Sequence, residues 1–356
     1  MAIDSKVGRS FAGNGCIGES GGMDAATNGK RKAKQRQRTR LTSSPEVSVV
    51  IVCMNQLQRL IACLDSLFAH NAAFPFEVWV VAYLFSRENL QALRKRYPQV
   101  NVIESNETRG FSENNNLALR RARGRYCFLL NDDTKMEMDV LARLAGSFER
   151  HPDAAAFMPK ILNWDGGVQS CGDDELTVGR WFLREFGIMK WGNPHLSGDA
   201  RGGVFPTRHV GGAAFMIRTD VLRELGYLDE RYFFTPEDAA LSARVNESGY
   251  RCYVDPDVEV FHECHTTLKA HLLPVMVAMQ RGQRLFFSRD SAWRDFGVGG
   301  LMAFRDAMKL FCWCFRRGRA AREHRRMWGA LLNTSFSRAT PKELFVRYSG
   351  RPAGKA

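Results

Sequence analysis

The chain has 356 residues, 45% apolar and 25% charged, the composition of an ordinary globular protein with room for one large domain or two modest ones. Its longest apolar runs, such as Val78–Phe85, fall far short of the roughly 18 residues that suggest a membrane span, and the N-terminus has no apolar signal-peptide region. Nine cysteines, an odd number without a C-x-x-C pair, argue against a disulfide scaffold or a structural zinc site and suit reduced thiols in the cytosol.

The net charge of +13 is unevenly placed. Residues 1–45 carry nine Lys and Arg against three acids, residues 46–268 carry 24 against 30, and residues 269–356 carry 18 against five. A mildly acidic body thus lies between two basic ends, unlike a uniformly basic nucleic-acid-binding domain. The first 45 residues are rich in Gly, Ser and Asn without apolar periodicity and predict a disordered tail. Its basic run Lys30–Arg40 suits an anionic membrane or a nucleic acid, or as readily a plain solvated tail that serves neither.

From Glu46 the texture changes. Val47–Cys53 is β-branched and almost continuously apolar, as in a strand covered on both faces. Leu57, Leu60, Ile61, Leu64 and Leu67 follow at helical spacing up to Phe68. The pattern then predicts a strand near Phe76–Tyr83, a helix near Glu88–Arg96 and a strand at Asn101–Glu104. Ser112 is the expected N-cap of a helix to about Ala122, and Tyr126–Leu130 is a fourth strand. Four strands alternating with helices predict right-handed βαβ units and a parallel sheet. Ligands of such sheets bind beyond the carboxyl ends of the strands, where Asn55, Tyr83 and Asn131-Asp132-Asp133 fall.

Asn131-Asp132-Asp133-Thr134 directly follows a buried strand, so its carboxylates suit either a divalent cation or an ordinary turn. A second cluster begins at His209. It runs through Gly211-Gly212-Ala213-Ala214-Phe215 and Leu228-Asp229-Glu230-Arg231 to Pro236-Glu237-Asp238. The paired glycines permit a close approach to a ligand or form a tight turn. Glu237 and Asp238 open a helix whose dipole favours carboxylates whatever their use. His262 ends a further strand and suits a metal site or simple packing.

In this order the pieces resemble the family 2 glycosyltransferases of the GT-A fold, particularly the bacterial rhamnosyltransferase-like members, over residues 46–268. The resemblance implies an α/β domain with a mostly parallel, Rossmann-like central sheet. It implies inverting transfer of a sugar from a nucleotide-diphosphate sugar to a hydroxyl of a glycan or lipid-linked acceptor, in bacterial surface polysaccharide synthesis. By the same resemblance Asp238 is the catalytic base with Glu237 beside it. Asp133 and His262 hold Mg2+ or Mn2+, and Asn55, Arg109, Asp132, Asp133, Gly211 and Gly212 face the donor. The physical demands agree: an attacking hydroxyl must lose a proton, and a departing diphosphate gathers charge that a cation stabilises. Two positions depart from the family pattern. Ala82 stands where an Asp contacts the nucleoside, and Ala240 where another Asp often follows the Glu-Asp pair. A catalytically degenerate binding protein is the alternative these departures favour, whereas no nucleic-acid module is recognisable.

Residues 269–356 read as a basic helical extension. Leu301, Phe304, Met308, Phe311 and Phe315 step by three and four along one face, and arginines follow from Arg316. Such a face suits an anionic membrane surface or the catalytic domain itself. The membrane option implies a cytoplasmic protein held peripherally at the inner face of the cell membrane.

Overall fold

The computed structural model describes residues 44–189, 203–263 and 272–350, so the basic run Lys30–Arg40 lies outside the described residues. Strand β1 (Val47–Met54) runs parallel to β2 (Phe76–Tyr83) on one side and to β4 (Tyr126–Asn131) on the other. Its Val47, Val49, Val50, Ile51 and Cys53 are completely buried, which is why the sequence there needs a continuous apolar run. Helix α1 (Leu57–Asn71) returns the chain to β2 and buries Leu57, Leu60, Leu64 and Leu67. Each such leucine contributes about 1.5–3 kcal/mol of burial. Helix α2 (Arg87–Arg96) begins at Ser86, whose hydroxyl accepts the Asn89 N–H at 3.2 Å, and leads to β3 (Asn101–Ser105), parallel to β2.

The helix before β4 departs from expectation. Helix α3 (Phe111–Leu119) is capped by Gly110 and not by Ser112, which is buried inside its first turn. The Gly110 N–H donates to Glu113 Oε2 at 2.8 Å. A Cβ at Gly110 would stand 2.5 Å from the Phe233 carbonyl oxygen, so only glycine lets the helix start meet that backbone. The helix also stops at Leu119, short of Ala122.

Beyond β4 come β5 (Thr134–Lys135), α4 (Val140–Arg150), β6 (Ala154–Leu162), β7 (Val168–Ser170) and α5 (Val178–Glu185). Next are β8 (Phe205–Thr207), β9 (Ala214–Arg218), α6 (Thr219–Glu224), α7 (Glu237–Glu247) and β10 (Arg251–His262). Among the described residues all ten strands form one sheet, in the order β3-β2-β1-β4-β9-β6-β10-β5, with β7 on β6 and β8 on β10. The half β3-β2-β1-β4 is parallel throughout and β6 is parallel to β10, whereas β9 joins the halves antiparallel to β4 and β6. The chain leaves β1 toward β2 and comes back to β4 on the opposite side. This reversal opens a crevice at the carboxyl ends of β1 and β4, the ordinary ligand position in an open α/β sheet.

The C-terminal extension is helical: α8 (Leu272–Ser288), α9 (Ala292–Cys314), α10 (Arg319–Thr334) and α11 (Pro341–Ser349). It has a small core of its own around Val277, Trp328, Leu331 and Leu344. It also packs on the segment just before α7. The Phe345 ring lies 4.8 Å from that of Phe233 and 5.4 Å from that of Phe234, and Lys342 Nζ reaches Glu113 at 3.0 Å. Among the described residues no helix is long and apolar enough to cross a membrane.

Candidate active site

At the end of β4 the Asn131 N–H donates to the Ala213 carbonyl at 2.9 Å, and Thr134 Oγ1 closes the following turn by donating to Asn131 O at 2.8 Å. Thr134 pairs with His262 across β5 and β10, which carries the imidazole to Asp133. His262 Nε2 lies 3.3 Å from Asp133 Oδ1 and 3.3 Å from Asn131 Nδ2. Its Nδ1 is 2.7 Å from Gln169 Oε1. Gln169 is itself oriented, because its amide nitrogen donates to Asn163 Oδ1 at 2.8 Å and to His262 O at 3.3 Å. The Gln169 oxygen therefore faces Nδ1, which must carry a proton, and the lone pair of the neutral ring is left on Nε2. That lone pair can accept from Asn131 Nδ2 or, together with Asp133 Oδ1, face a cation. Asp133 and His262, with the ring oriented from behind, are of the types that would hold a divalent ion, although among the described residues no group of three or more His, Cys, Asp or Glu gathers as a metal cluster. Asp132 is half-buried. Burial pushes it up to about 6, with the Asp133 charge adding to the rise and a hydrogen bond from the Cys53 thiol opposing it.

The second group gathers at the start of α7. Asp238 Oδ2 accepts the Gly212 N–H at 3.0 Å, and Oδ1 accepts the Ala239 N–H at 2.7 Å. His209 Nε2 stands 3.4 Å from Oδ1. Burial alone raises Asp238, but the His209 charge and the two backbone N–H groups outweigh it and hold the carboxyl below its ordinary value. His209 is pushed down by burial and raised past its ordinary value by Asp238, with Asp173 assisting. Glu237 is the opposite case. Its side chain is buried, its Oε2 has no hydrogen-bond partner among the described residues, and burial with the Asp238 charge raises it well above the carboxylate range. The two neighbouring carboxyls are thus shifted in opposite directions, the pattern that sets a base apart from its neighbour.

The two groups are joined through Gly212 and Ala213. Asp238 holds Gly212, Gly212 precedes Ala213, and Ala213 O holds Asn131 at the head of the Asp132-Asp133 turn. A Cβ at Gly212 would stand 3.4 Å from Asp238 Oδ2 and 3.6 Å from Glu237 Oε1, so the glycine keeps the approach to both carboxyls open. Gly211 is less confined, its nearest neighbour being Ser170 Oγ at 3.8 Å.

Asn55 and Arg109 lie toward the other side, at the ends of β1, β2 and β3. Asn55 adopts φ 54°, a left-handed conformation that asparagine tolerates, and its Oδ1 accepts from Ser86 N at 3.0 Å and Asn89 Nδ2 at 2.9 Å. The Arg109 N–H donates to Tyr83 Oη at 3.3 Å, while its guanidinium reaches Ser105 Oγ at 3.2 Å and Glu107 Oε2 at 2.8 Å. Ala82 is completely buried and registers between Cys53 of β1 and Glu104 of β3, presenting only a methyl where a nucleoside-facing carboxylate is expected.

Comparison with known proteins gives the family. The sequence description "Glycosyl transferase family 2" matches residues 48–226, half of the chain. The chain belongs to glycosyl transferase family 2. The O-antigen biosynthesis protein RfbC of Myxococcus xanthus is 25% identical over 270 residues, covering 71% of this chain and 20% of that protein. The N-acetylglucosaminyl-diphospho-decaprenol L-rhamnosyltransferase of Mycobacterium tuberculosis is 23% identical over 198 residues, covering 50% of this chain and 63% of its own. The chain therefore spans a fifth of one relative and just under two thirds of the other. A crystal structure of GalNAc-T7 with UDP, GalNAc and Mn2+ superposes with a TM-score of 0.50 at 17% identity, over 74% of this chain and 55% of that one. This likeness bears out the GT-A fold.

Two residues in contact with these candidate site residues are not marked as such by the sequence pattern. Gln169 sits on the three-residue strand β7, which no periodicity marks. His209 stood at the head of the glycine cluster, but only the fold turns it onto Asp238. The asparagines Asn114-Asn115-Asn116 bond to backbone, Asn114 Nδ2 donating to Gly110 O at 3.1 Å. Asn116 holds Leu228 by both its amide groups, and Asn115 returns to Phe111 O at 2.9 Å.

Proposed function

We propose that this glycosyltransferase moves a sugar, with inversion, from a nucleotide-diphosphate sugar to a hydroxyl of a glycan or lipid-linked acceptor in bacterial surface polysaccharide synthesis. The observation that carries this reading is the placement of Asp238 at the head of α7, held by the Gly212 and Ala239 N–H groups beside His209 and joined through Gly212-Ala213 to the turn that carries Asp133 against His262. Asp238 takes the proton of the acceptor hydroxyl as its oxygen attacks the anomeric carbon opposite the leaving diphosphate. Asp133 and His262 would hold Mg2+ or Mn2+, whose chemistry there is to neutralise the charge gathering on that diphosphate. Gln169 keeps the Nε2 lone pair of His262 turned toward Asp133. Gly211 and Gly212 let the loop lie along the donor sugar, with Asp132, Asn55 and Arg109 lining its approach. The relatives named for O-antigen biosynthesis and for transfer to a diphospho-decaprenol support a lipid-linked acceptor. The excess positive charge of residues 269–356 supports work at an anionic membrane surface on the cytoplasmic side. Residues 46–268 are the catalytic domain in this reading and residues 269–356 the extension.

The test is titration of the purified chain with UDP, GDP and dTDP, each with and without Mn2+ or Mg2+. Metal-dependent binding of one nucleotide is expected. A folded chain that binds none of them would favour the degenerate alternative, in which Ala82 has removed nucleoside recognition.

A further inference from the structure

Helix α9 turns charge inward and aromatic surface outward. Arg305 and Asp306 are 3% and 0% exposed. Arg305 donates to Asp306 Oδ1 at 2.7 Å and to Gln280 Oε1 at 2.6 Å, and Gln280 Nε2 returns to Asp306 Oδ2 at 3.0 Å. The Arg305 guanidinium also lies 4.9 Å from the ring centre of Trp181 and 5.6 Å from that of Trp328. On the opposite face Trp293 is 88% exposed and Phe315 74%, with Leu301, Phe304, Met308 and Phe311 exposed between them. At 100° per residue every position within an arc of about 120° centred on Phe304 is apolar, along a run of about 33 Å. The helix cannot roll to hide this stripe without pulling Arg305 and Asp306 out of their hydrogen bonds. The outward face is thus set by the buried network, and an exposed apolar strip of this length is an interaction surface.

Its borders say what it meets. Arg294 flanks the stripe near its start, and Arg316, Arg317, Arg322 and Arg326 stand exposed beyond its end. A symmetric partner copy would bring these cations against their own kind. Anionic headgroups above an acyl layer match an apolar, aromatic face with a cationic border. We propose that α9 lies in the plane of an anionic membrane interface, its stripe from Trp293 to Phe315 among the acyl chains and the following arginines on the headgroups. This rests on the reading above, in which the acceptor is carried at a membrane, and it names the face that reaches it. The face is joined to the site: Gly282 of α8 and Phe345 of α11 pack against Thr235 and Phe233, just ahead of Glu237 and Asp238.

Vesicle co-sedimentation of the full chain decides it, using phosphatidylcholine vesicles with and without phosphatidylglycerol, alongside the nucleotide titration. The expected result is sedimentation with the anionic vesicles and a loss of at least ten-fold in partitioning for Phe304→Asp/Phe311→Asp. Undiminished binding by that variant would overturn the proposal, since the basic segments alone would then suffice. So would no binding by the wild type, or a stable wild-type dimer that the variant converts to monomer. Should the double variant fail to fold, quenching of wild-type fluorescence by brominated lipid, abolished by Trp293→Phe, supports the proposal, and quenching untouched by that change overturns it. Loss of vesicle binding with nucleotide binding intact removes this inference alone, and the reverse removes the transferase reading alone.

Discussion

His209 Nε2 lies 3.4 Å from Asp238 Oδ1, on the side away from the Gly212 N–H that holds Oδ2. The pair is enclosed, and Asp173, itself bound to Arg184 at 2.7 Å, is the next charge toward the imidazole. Burial works against ionising Asp238, so its low pKa depends on His209 before any other side chain.

Replacing His209 therefore has a signed consequence. Asp238 is ionised above its depressed pKa and loses that form as pH falls through it. His209→Ala leaves burial less opposed and raises the pKa, so the acid limb of kcat/KM for donor hydrolysis moves to higher pH. A limb that stays in place would show that His209 does not set the charge of the base.

Asp238→Asn keeps the shape of the side chain and removes its proton affinity. Turnover should fall by about 10^2–10^4-fold, the ordinary size of general-base catalysis, while nucleotide affinity stays within a few-fold of wild type. Paired measurement of donor hydrolysis and nucleotide titration checks this. Affinity falling as far as turnover would make Asp238 a binding residue instead.

Much of this site is legible in the sequence because strand ends are. A continuously apolar run such as Val47–Cys53 has to be buried on both faces, and the polar residue that ends it must emerge at the crevice. The same logic places Asn131 after Tyr126–Leu130. Where tertiary contact decides, the sequence is silent. Gly110 displaces Ser112 as a cap because Phe233, far along the chain, comes within reach of its Cα. The periodicity of α9 marks an apolar stripe, but only the buried pairing of Arg305 with Asp306 and Gln280 settles that the stripe faces outward.

Gln169 offers a test of the proposed metal site that spares its ligands. Gln169→Leu fills similar space but gives up the acceptor for His262 Nδ1, so the ring is free to change tautomer and turn. Loss of such an orienting partner costs about 10–100-fold in metal affinity. Titration of nucleotide binding with Mn2+ should show a rise of that order in the metal concentration required. Asp133→Ala should abolish the metal dependence altogether, and dependence unchanged in both would remove this pair from the site.

The docking of the extension is open to one substitution. A Cβ on Gly282 would collide with the Thr235 carbonyl oxygen, which is backbone and cannot turn aside. Gly282→Ala should cost about 1–3 kcal/mol of stability, as overpacking does. Because the displaced segment leads into Glu237 and Asp238, donor hydrolysis should fall as well, at temperatures where the variant is still folded. A lowered melting temperature with hydrolysis untouched would mean that the extension and the catalytic carboxyls are mechanically independent.

Glu237 gives stability a pH dependence opposite in sign to that of Asp238. Its folded pKa lies well above the unfolded value near 4.3, because burial and the Asp238 charge both oppose ionisation. The stabilising proton is in place below the unfolded pKa, and its contribution is lost as pH rises through the folded one. Within that window the loss is at most about 1.4 kcal/mol per pH unit. Asp238, with a depressed pKa, acts at the acid end, where its contribution is lost as pH falls. Glu237→Gln keeps a neutral side chain of the same shape at every pH, so its melting temperature should decline less than that of the wild type from weakly acidic to alkaline buffer. Parallel curves would mean that Glu237 ionises in the folded protein as readily as in the unfolded chain, and Asp238 would then have no neutral neighbour.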